Sequence, residues 1–300
     1  MSQQVSASSH KPYGLQRVCR VLEISRSGLY AWRQRLQRQE SHQRRRPGPE
    51  GPCSDQRLVA KIRQVLANSP FHGEGYRKVW ARLRFGGLRT SKERVRRLMR
   101  EHGMQAPHRV GRRRGPVAHD GTIITQVPDQ MWGTDMSTTV TVQDDQVAVM
   151  VAVDHCSLEC VGIHAAKSGN RYEALEPIRQ AVSERLGGFS KDAATGLSVR
   201  HDHGSAYLSE AFQGELKFLG IDSSPAFIRE PQGNGCAERF IRILKENLLW
   251  VHTFANVEEL RQALIEFKRQ YNETWILQRH GYLTPRQAAE AAIRRLAEAA

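Results

Sequence analysis

Cysteine is scarce and scattered in this chain of 300 residues. Cys19, Cys53, Cys156, Cys160 and Cys236 are odd in number and nowhere spaced as CxxC, which argues against a disulfide framework and a zinc ribbon. His155-Cys156 with Cys160 comes nearest to a metal cluster, but no second ligand pair follows it, and it reads as packed strand cysteines. Long apolar runs are missing as well. The longest, Val147 to Val153, has seven residues, against about 20 for a helix that crosses a bilayer. The polar opening MSQQVSASSH has no apolar centre of the secretory kind. These absences point to an intracellular protein, and 39% hydrophobic with 25% charged residues fits a soluble globular one.

Negative charge is the other shortage, and it is local. Residues 1–124 hold 27 Lys and Arg against 8 Asp and Glu, whereas residues 125–300 hold 18 against 23. The whole chain carries a formal charge of +14. A basic arm that also contains helical patterns and aromatics suits folded binding of a polyanion, above all a nucleic acid.

Within that arm, residues 1–37 contain two short helices around a turn near Glu23 to Ser25. Leu15, Val18, Cys19 and Leu22 form one stripe, Leu29, Tyr30 and Trp32 supply the packing of the next helix, and Ser25 is a candidate N-cap. A second helix carrying Arg26 and Arg33 is the arrangement of a helix-turn-helix, with a basic hairpin packed on the body as the alternative. Residues 38–54, rich in Pro, Gly and Arg, read as a flexible linker. Residues 55–106 read as a second helical module. Leu58, Ile62, Val65 and Leu66 recur at helical spacing, Gly86-Gly87 turns the chain, and a helix capped at Thr90/Ser91 carries Arg94 and Arg97 among its cations. Residues 107–124 form a basic joint in which Arg112, Arg113 and Arg114 could track phosphates.

From residue 125 the period changes to two. MWGTDMSTTVTV, VAVMVAVDH and LECVGIHAA read as an antiparallel meander, followed by a helix over 172–186, a strand over 197–200 and a helix over 209–219. This is an α/β domain with a mixed sheet over 125–255, followed by a C-terminal helical extension over 256–300. Three carboxylates stand out by context. Asp135 lies on the first strand, Asp202 ends the fourth, and Glu238 opens a helix after Gly-Asn-Gly, with 35 residues between it and Asp202. Three converging acids call for hard divalent cations, and a pair of Mg²⁺ ions suits phosphoryl transfer. Arg242 and Lys245, at i+4 and i+7 from Glu238, share its face.

WGTDMS around Asp135, HDHGSAY around Asp202 and GNGCAERFIRILKENLL around Glu238, in this order behind two basic helical modules, resemble the DDE transposases of the insertion sequence 3 family. The resemblance covers most of the chain. It implies a ribonuclease-H-like integrase core, a mixed five-stranded sheet with flanking helices, preceded by small all-α helix-turn-helix-type modules. It also implies Asp135, Asp202 and Glu238 as a catalytic, metal-binding triad with two Mg²⁺ ions, for which Mn²⁺ substitutes. Double-stranded DNA would be the partner, as terminal inverted repeats and target, held by a homo-oligomer in the bacterial cytoplasm at the nucleoid. The chain would match the downstream frame, whose upstream product is a possible partner or fusion. Trp132, His203 and Asn234 are candidates for positioning substrate. Departures are Cys236-Ala237 in place of an Asn-Ala type, His201 in place of Ser, and an expanded YNETWILQRHGYLTP segment.

Other acids read as structural: Asp144 and Asp145 in a hairpin turn, Asp154 at a strand end, Asp222 in a loop. His42-Gln43-Arg44-Arg45 matches a tyrosine-recombinase motif formally, but in a linker. A non-catalytic DNA-binding protein or domesticated transposase relic, and a nuclease without strand transfer, are the alternatives.

Overall fold

The computed structural model describes residues 3–39, 53–107, 125–226 and 234–299. The chain divides between residues 51 and 52 into two packed units. The first holds α1 (Leu15–Val21) and α2 (Arg26–Gln39). Ser25 caps α2 by accepting the Gly28 N–H at 3.1 Å. The turn before it places Glu23 at φ +56, a backbone that glycine adopts with less strain. Cys19 is buried here, but Tyr30 and Trp32 are exposed rather than packed. Two short helices enclose too little volume to cover both rings.

In the second unit α3 (Asp55–Ala67), α4 (Tyr76–Phe85) and α5 (Lys92–Glu101) pack around Leu58, Ile62, Val79, Leu83, Val95 and Leu98. Ser54 caps α3 and Ser91 caps α5. Gly87, at φ +81, completes the turn between α4 and α5. This small bundle is joined to the rest of the unit. Phe71 meets Phe267 and Trp275 edge-on, and Arg82 pairs through two nitrogens with Glu74 while also donating to the Thr274 carbonyl.

The sheet contains β1 (Met131–Thr141), β2 (Asp145–Asp154), β3 (Cys160–Ala166), β4 (Ser198–His201) and β5 (Asp222–Pro225), in the order β3-β2-β1-β4-β5. β1, β2 and β3 are antiparallel neighbours, while β4 runs parallel to β1 and β5 parallel to β4. This is the ribonuclease-H-like α/β architecture expected of an integrase core. Asp222 opens β5 instead of lying in a loop. Four residues without a hydrophobic alternation carry no readable strand signal, and backbone pairing with β4 recruits them.

α6 (Glu176–Arg185) and α7 (Glu210–Phe218) cover one face of the sheet, packing on Trp132, Ala152, Val161 and Val199. α8 (Gly235–Leu244) and α9 (Val257–Thr274) cover the other, against Val149, Val151 and Val153. Gly162 permits the close seat of α6, since a Cβ there would lie 1.8 Å from the Pro177 carbonyl oxygen. α10 (Pro285–Ala299) runs beside α9. One apolar cluster joins Phe240 and Leu244 to Leu264 and Phe267, so the core continues across residue 255. Among the described residues no helix is long and apolar enough to cross a membrane.

Candidate active site

Strand alternation and one parallel register bring the first two acids together. β1 pairs with β4 as Trp132 with Val199 and Gly133 with Arg200. Extended by two residues, the same register sets Asp202, just past the end of β4, level with Asp135 on β1. Alternation turns Gly133 and Asp135 to the α8 side of the sheet. A Cβ at Gly133 would lie 2.7 Å from Asn234 Oδ1 and 2.9 Å from His155 Nε2, so only glycine admits this junction. Asn234 Nδ2 donates to the Thr134 carbonyl at 2.8 Å, tying the start of α8 to the residue before Asp135. Glu238 follows one helical turn later.

The electrostatics record this convergence. The Asp135 carboxyl is pushed up to about 6, first by burial and then by the charges of Asp202 and Glu238, while the Met136 N–H and Lys245 pull it down. Glu238 is raised by partial desolvation and drawn back by Arg242. Asp202 accepts the Gly204 N–H at 2.8 Å. Beneath it, burial pushes the Tyr207 phenol up and holds His201 below the usual imidazole range. His201 donates from Nδ1 to the Asp202 carbonyl at 2.6 Å and accepts from Ser223 Oγ at 2.9 Å. It is a neutral ring that fixes the end of β4. An orienting hydrogen-bond partner is what a histidine beside a strand end is expected to be, whereas nothing in the sequence singled out Tyr207.

Among the described residues no three His, Cys, Asp or Glu side chains are already drawn into a metal cage. The donor types nevertheless suit a hard divalent cation: Asp135, raised first by burial, also feels the charges of two further carboxylates, Asp202 and Glu238.

With this geometry established, known proteins supply its context. The chain matches the model of an HTH-like domain over residues 54–113 and that of an integrase core domain over residues 219–285. It is 24% identical over 281 residues to the transposase InsD for insertion element IS2A/D/F/H/I/K of Escherichia coli, covering 92% of this chain and 90% of the relative. This chain is a transposase homologue with an integrase core. InsD of insertion element IS2-9 of Escherichia coli strain K12 matches at the same 24% identity, covering 92% of this chain and 89% of the relative. Among solved structures, the HTLV-2 integrase catalytic core domain in complex with magnesium aligns at 20% identity and TM-score 0.41, over 54% of this chain and 97% of that one. The simian T-cell lymphotropic virus intasome in complex with PP2A regulatory subunit B56 gamma aligns at 19% identity and TM-score 0.47, over 77% and 74%.

The remaining candidates of this transposase homologue lie in different settings. Arg242 is exposed on α8, and Lys245 begins a wider helical turn, Lys245–Leu249, that continues it; both act on the acids. His203 is exposed beside Asp202, and Arg26 and Arg33 are exposed on α2. Trp132, by contrast, is fully buried in the α6 and α7 layer and donates its indole N–H to Asp129 Oδ1 at 2.9 Å. Alternation places residue 132 on the face opposite Asp135, so it supports the core and cannot meet a substrate.

Arg94 and Arg97 also differ from expectation. Both hold Asp55, at 2.7 and 2.6 Å, and Arg97 holds Glu101 as well. They clamp α5 to α3. Lys92, Arg96 and Arg100 form the exposed stripe of α5, a set legible in the sequence from its i, i+4, i+8 spacing. Arg112, Arg113 and Arg114 lie outside the described residues.

Proposed function

We propose that this chain is a DNA transposase that binds insertion-element ends through its basic helical modules and carries out metal-dependent strand cleavage and strand transfer at Asp135, Asp202 and Glu238. One observation carries the reading: the charges of Asp202, just past β4, and Glu238 on α8 both reach Asp135 on β1, whose carboxyl is raised to about 6 by burial first and by these two acids after it. Structural acids are normally spread out or matched with cations. A site that gathers three is suited to divalent ions.

Asp135, Asp202 and Glu238 would hold a pair of Mg²⁺ ions, for which Mn²⁺ substitutes. When bound, such ions supply Lewis acidity toward the attacking and leaving oxygens of a phosphodiester. The chemistry has two steps. Hydrolysis frees a 3′-hydroxyl at the element end. That hydroxyl then attacks a second phosphodiester, whose own 3′-oxygen leaves, with no covalent link to the protein. Arg242 and Lys245 orient the phosphates, Asn234 keeps α8 at its distance from β1, and Lys92, Arg96 and Arg100 engage the duplex backbone. Holding two ends together calls for a homo-oligomer on DNA, with the upstream-frame product as a further partner, in the cytoplasm at the nucleoid.

The test is a strand-transfer assay on inverted-repeat DNA with Mg²⁺ or Mn²⁺, comparing wild type with Glu238→Gln. Joined products from wild type alone, with end binding retained by both, support the proposal. End binding without cleavage by either protein, even with the upstream product added, would overturn it in favour of a non-catalytic DNA-binding protein.

A further inference from the structure

A second site adjoins α8 at Arg239. Between α4 and residues 275–282 a cleft of about 480 Å³ is lined by Tyr76, Arg77, Lys78, Arg239, Trp275 and Tyr282, within the roughly 300–1,000 Å³ of small-ligand pockets. Three aromatic rings and three cations line it, and no carboxylate does. Glu74, the acid closest to Lys78, is fully buried and committed to Arg82 at 2.9 Å, with Lys78 3.9 Å away. Lys78 Nζ lies 2.8 Å from the centre of the Trp275 ring, and burial, with Arg82 and Arg239 beside it, lowers its amine to about 7.

The rim carries two further features that the fold does not account for. The Tyr282 hydroxyl is buried without a hydrogen-bond partner among the described residues. Its backbone stands at φ +70, a strained conformation for a residue with a side chain. Arg77 bridges the opening by donating to Gln278 Oε1 at 3.2 Å.

We propose that this cleft binds an unstacked nucleotide of the DNA on which the chain acts, its base against Tyr76 and Tyr282 and its phosphate between Arg77 and Arg239. Aromatic faces with flanking cations are how sequence-tolerant single-strand sites work. The absence of lining acids favours a phosphate, and the ring walls favour a base over an acidic peptide. Arg239 follows Glu238 directly, so α8 supplies both the acid site and this cleft. The inference rests on the transposase reading for its substrate but not for its test, which reads binding alone.

The experiment uses the full chain and fluorescence anisotropy with two probes: a blunt inverted-repeat duplex, and the same duplex with a five-nucleotide single-stranded flank containing 2-aminopurine. The flank is expected to raise affinity about 10-fold and to quench the 2-aminopurine. The double variant Arg77→Ala/Arg239→Ala should remove that gain while leaving blunt-duplex affinity unchanged. Tyr282→Phe, which retains the ring and thus the fold, should reduce the gain about 2- to 5-fold. Equal affinity for both probes in wild type, with Glu238-dependent joining intact, would overturn the cleft and leave the transposase reading standing. Competition by a poly-glutamate peptide in place of the flank would overturn it too. A flank-dependent gain without any joining would support the cleft and sink the transposase reading instead.

Discussion

Burial raises the carboxyls of both Asp154 and Asp135, yet the two acid clusters they belong to differ in the donors the protein gives them. Asp154, buried at the end of β2, accepts from the Ser157 N–H and Oγ at 2.7 Å each and from the Asp129 N–H at 3.0 Å. Asp129 and Glu159 are both held by Arg185 at 2.9 Å. Among the described residues, Asp135 on the neighbouring strand accepts only the N–H of Met136, Asp202 only that of Gly204, and Glu238 none. The first cluster is closed by its own donors and holds the fold. The second has few protein donors, with Asp202 and Glu238 open to solvent, which is the state the proposed metal site requires.

The sharpest way to break this comparison is to remove one charge from the open cluster. Glu238→Gln should lower strand transfer by on the order of 10³-fold or more, with end binding within about 3-fold, measured by joined product and by anisotropy. Retained joining would place Glu238 among the structural acids.

In the closed cluster the expected effect falls on stability. Arg185→Ala leaves Asp129 and Glu159 without their cation and should cost about 2–4 kcal/mol in urea unfolding. A change below about 0.5 kcal/mol would show that the cluster is not what holds this end of the sheet.

Asp135→Asn should do the reverse in the absence of metal. The folded carboxyl titrates near 6 and the unfolded one near 3.8, so the folded state binds more protons between these values. Stability from this group is therefore full below about 3.8 and lost as pH rises through 6. The Asn variant should be more stable than wild type by about 1–3 kcal/mol at pH 8, with the gain vanishing near pH 4, while strand transfer is lost. A destabilised variant at pH 8 would assign Asp135 to the structural class.

The smallest effect carries the same distinction over to cations. Replacing Lys92, Arg96 and Arg100 together with Ala should reduce the salt dependence of duplex binding by about 2–3 in the log–log slope without changing stability. Arg94→Ala and Arg97→Ala should lower stability by about 1–2 kcal/mol, because both residues hold Asp55. The opposite assignment would follow if the two sets exchanged effects.

Much of the fold was legible because periodicity survives in single sequence. Val147 to Val153, Leu58 with Ile62, and the Ser25 and Ser91 caps all stand where alternation, helical spacing and cap chemistry put them. β5 was not legible, because its four residues become a strand only through pairing with β4. Trp132 was misjudged from its nearness in sequence to Asp135, since neighbours on a strand face opposite ways. Arg94 and Arg97 were misjudged because Asp55, about forty positions away in the chain, became their partner only when α5 packed on α3.

Sequence alone determined most of the elements, the charge division of the chain and which three acids are proposed for the site, since each depends on local pattern and residue type. Tertiary structure decided which charges are satisfied. Whether a carboxylate meets an arginine, a backbone N–H or another carboxylate depends on contacts between residues far apart in the chain, and that difference separates Asp154 from Asp135.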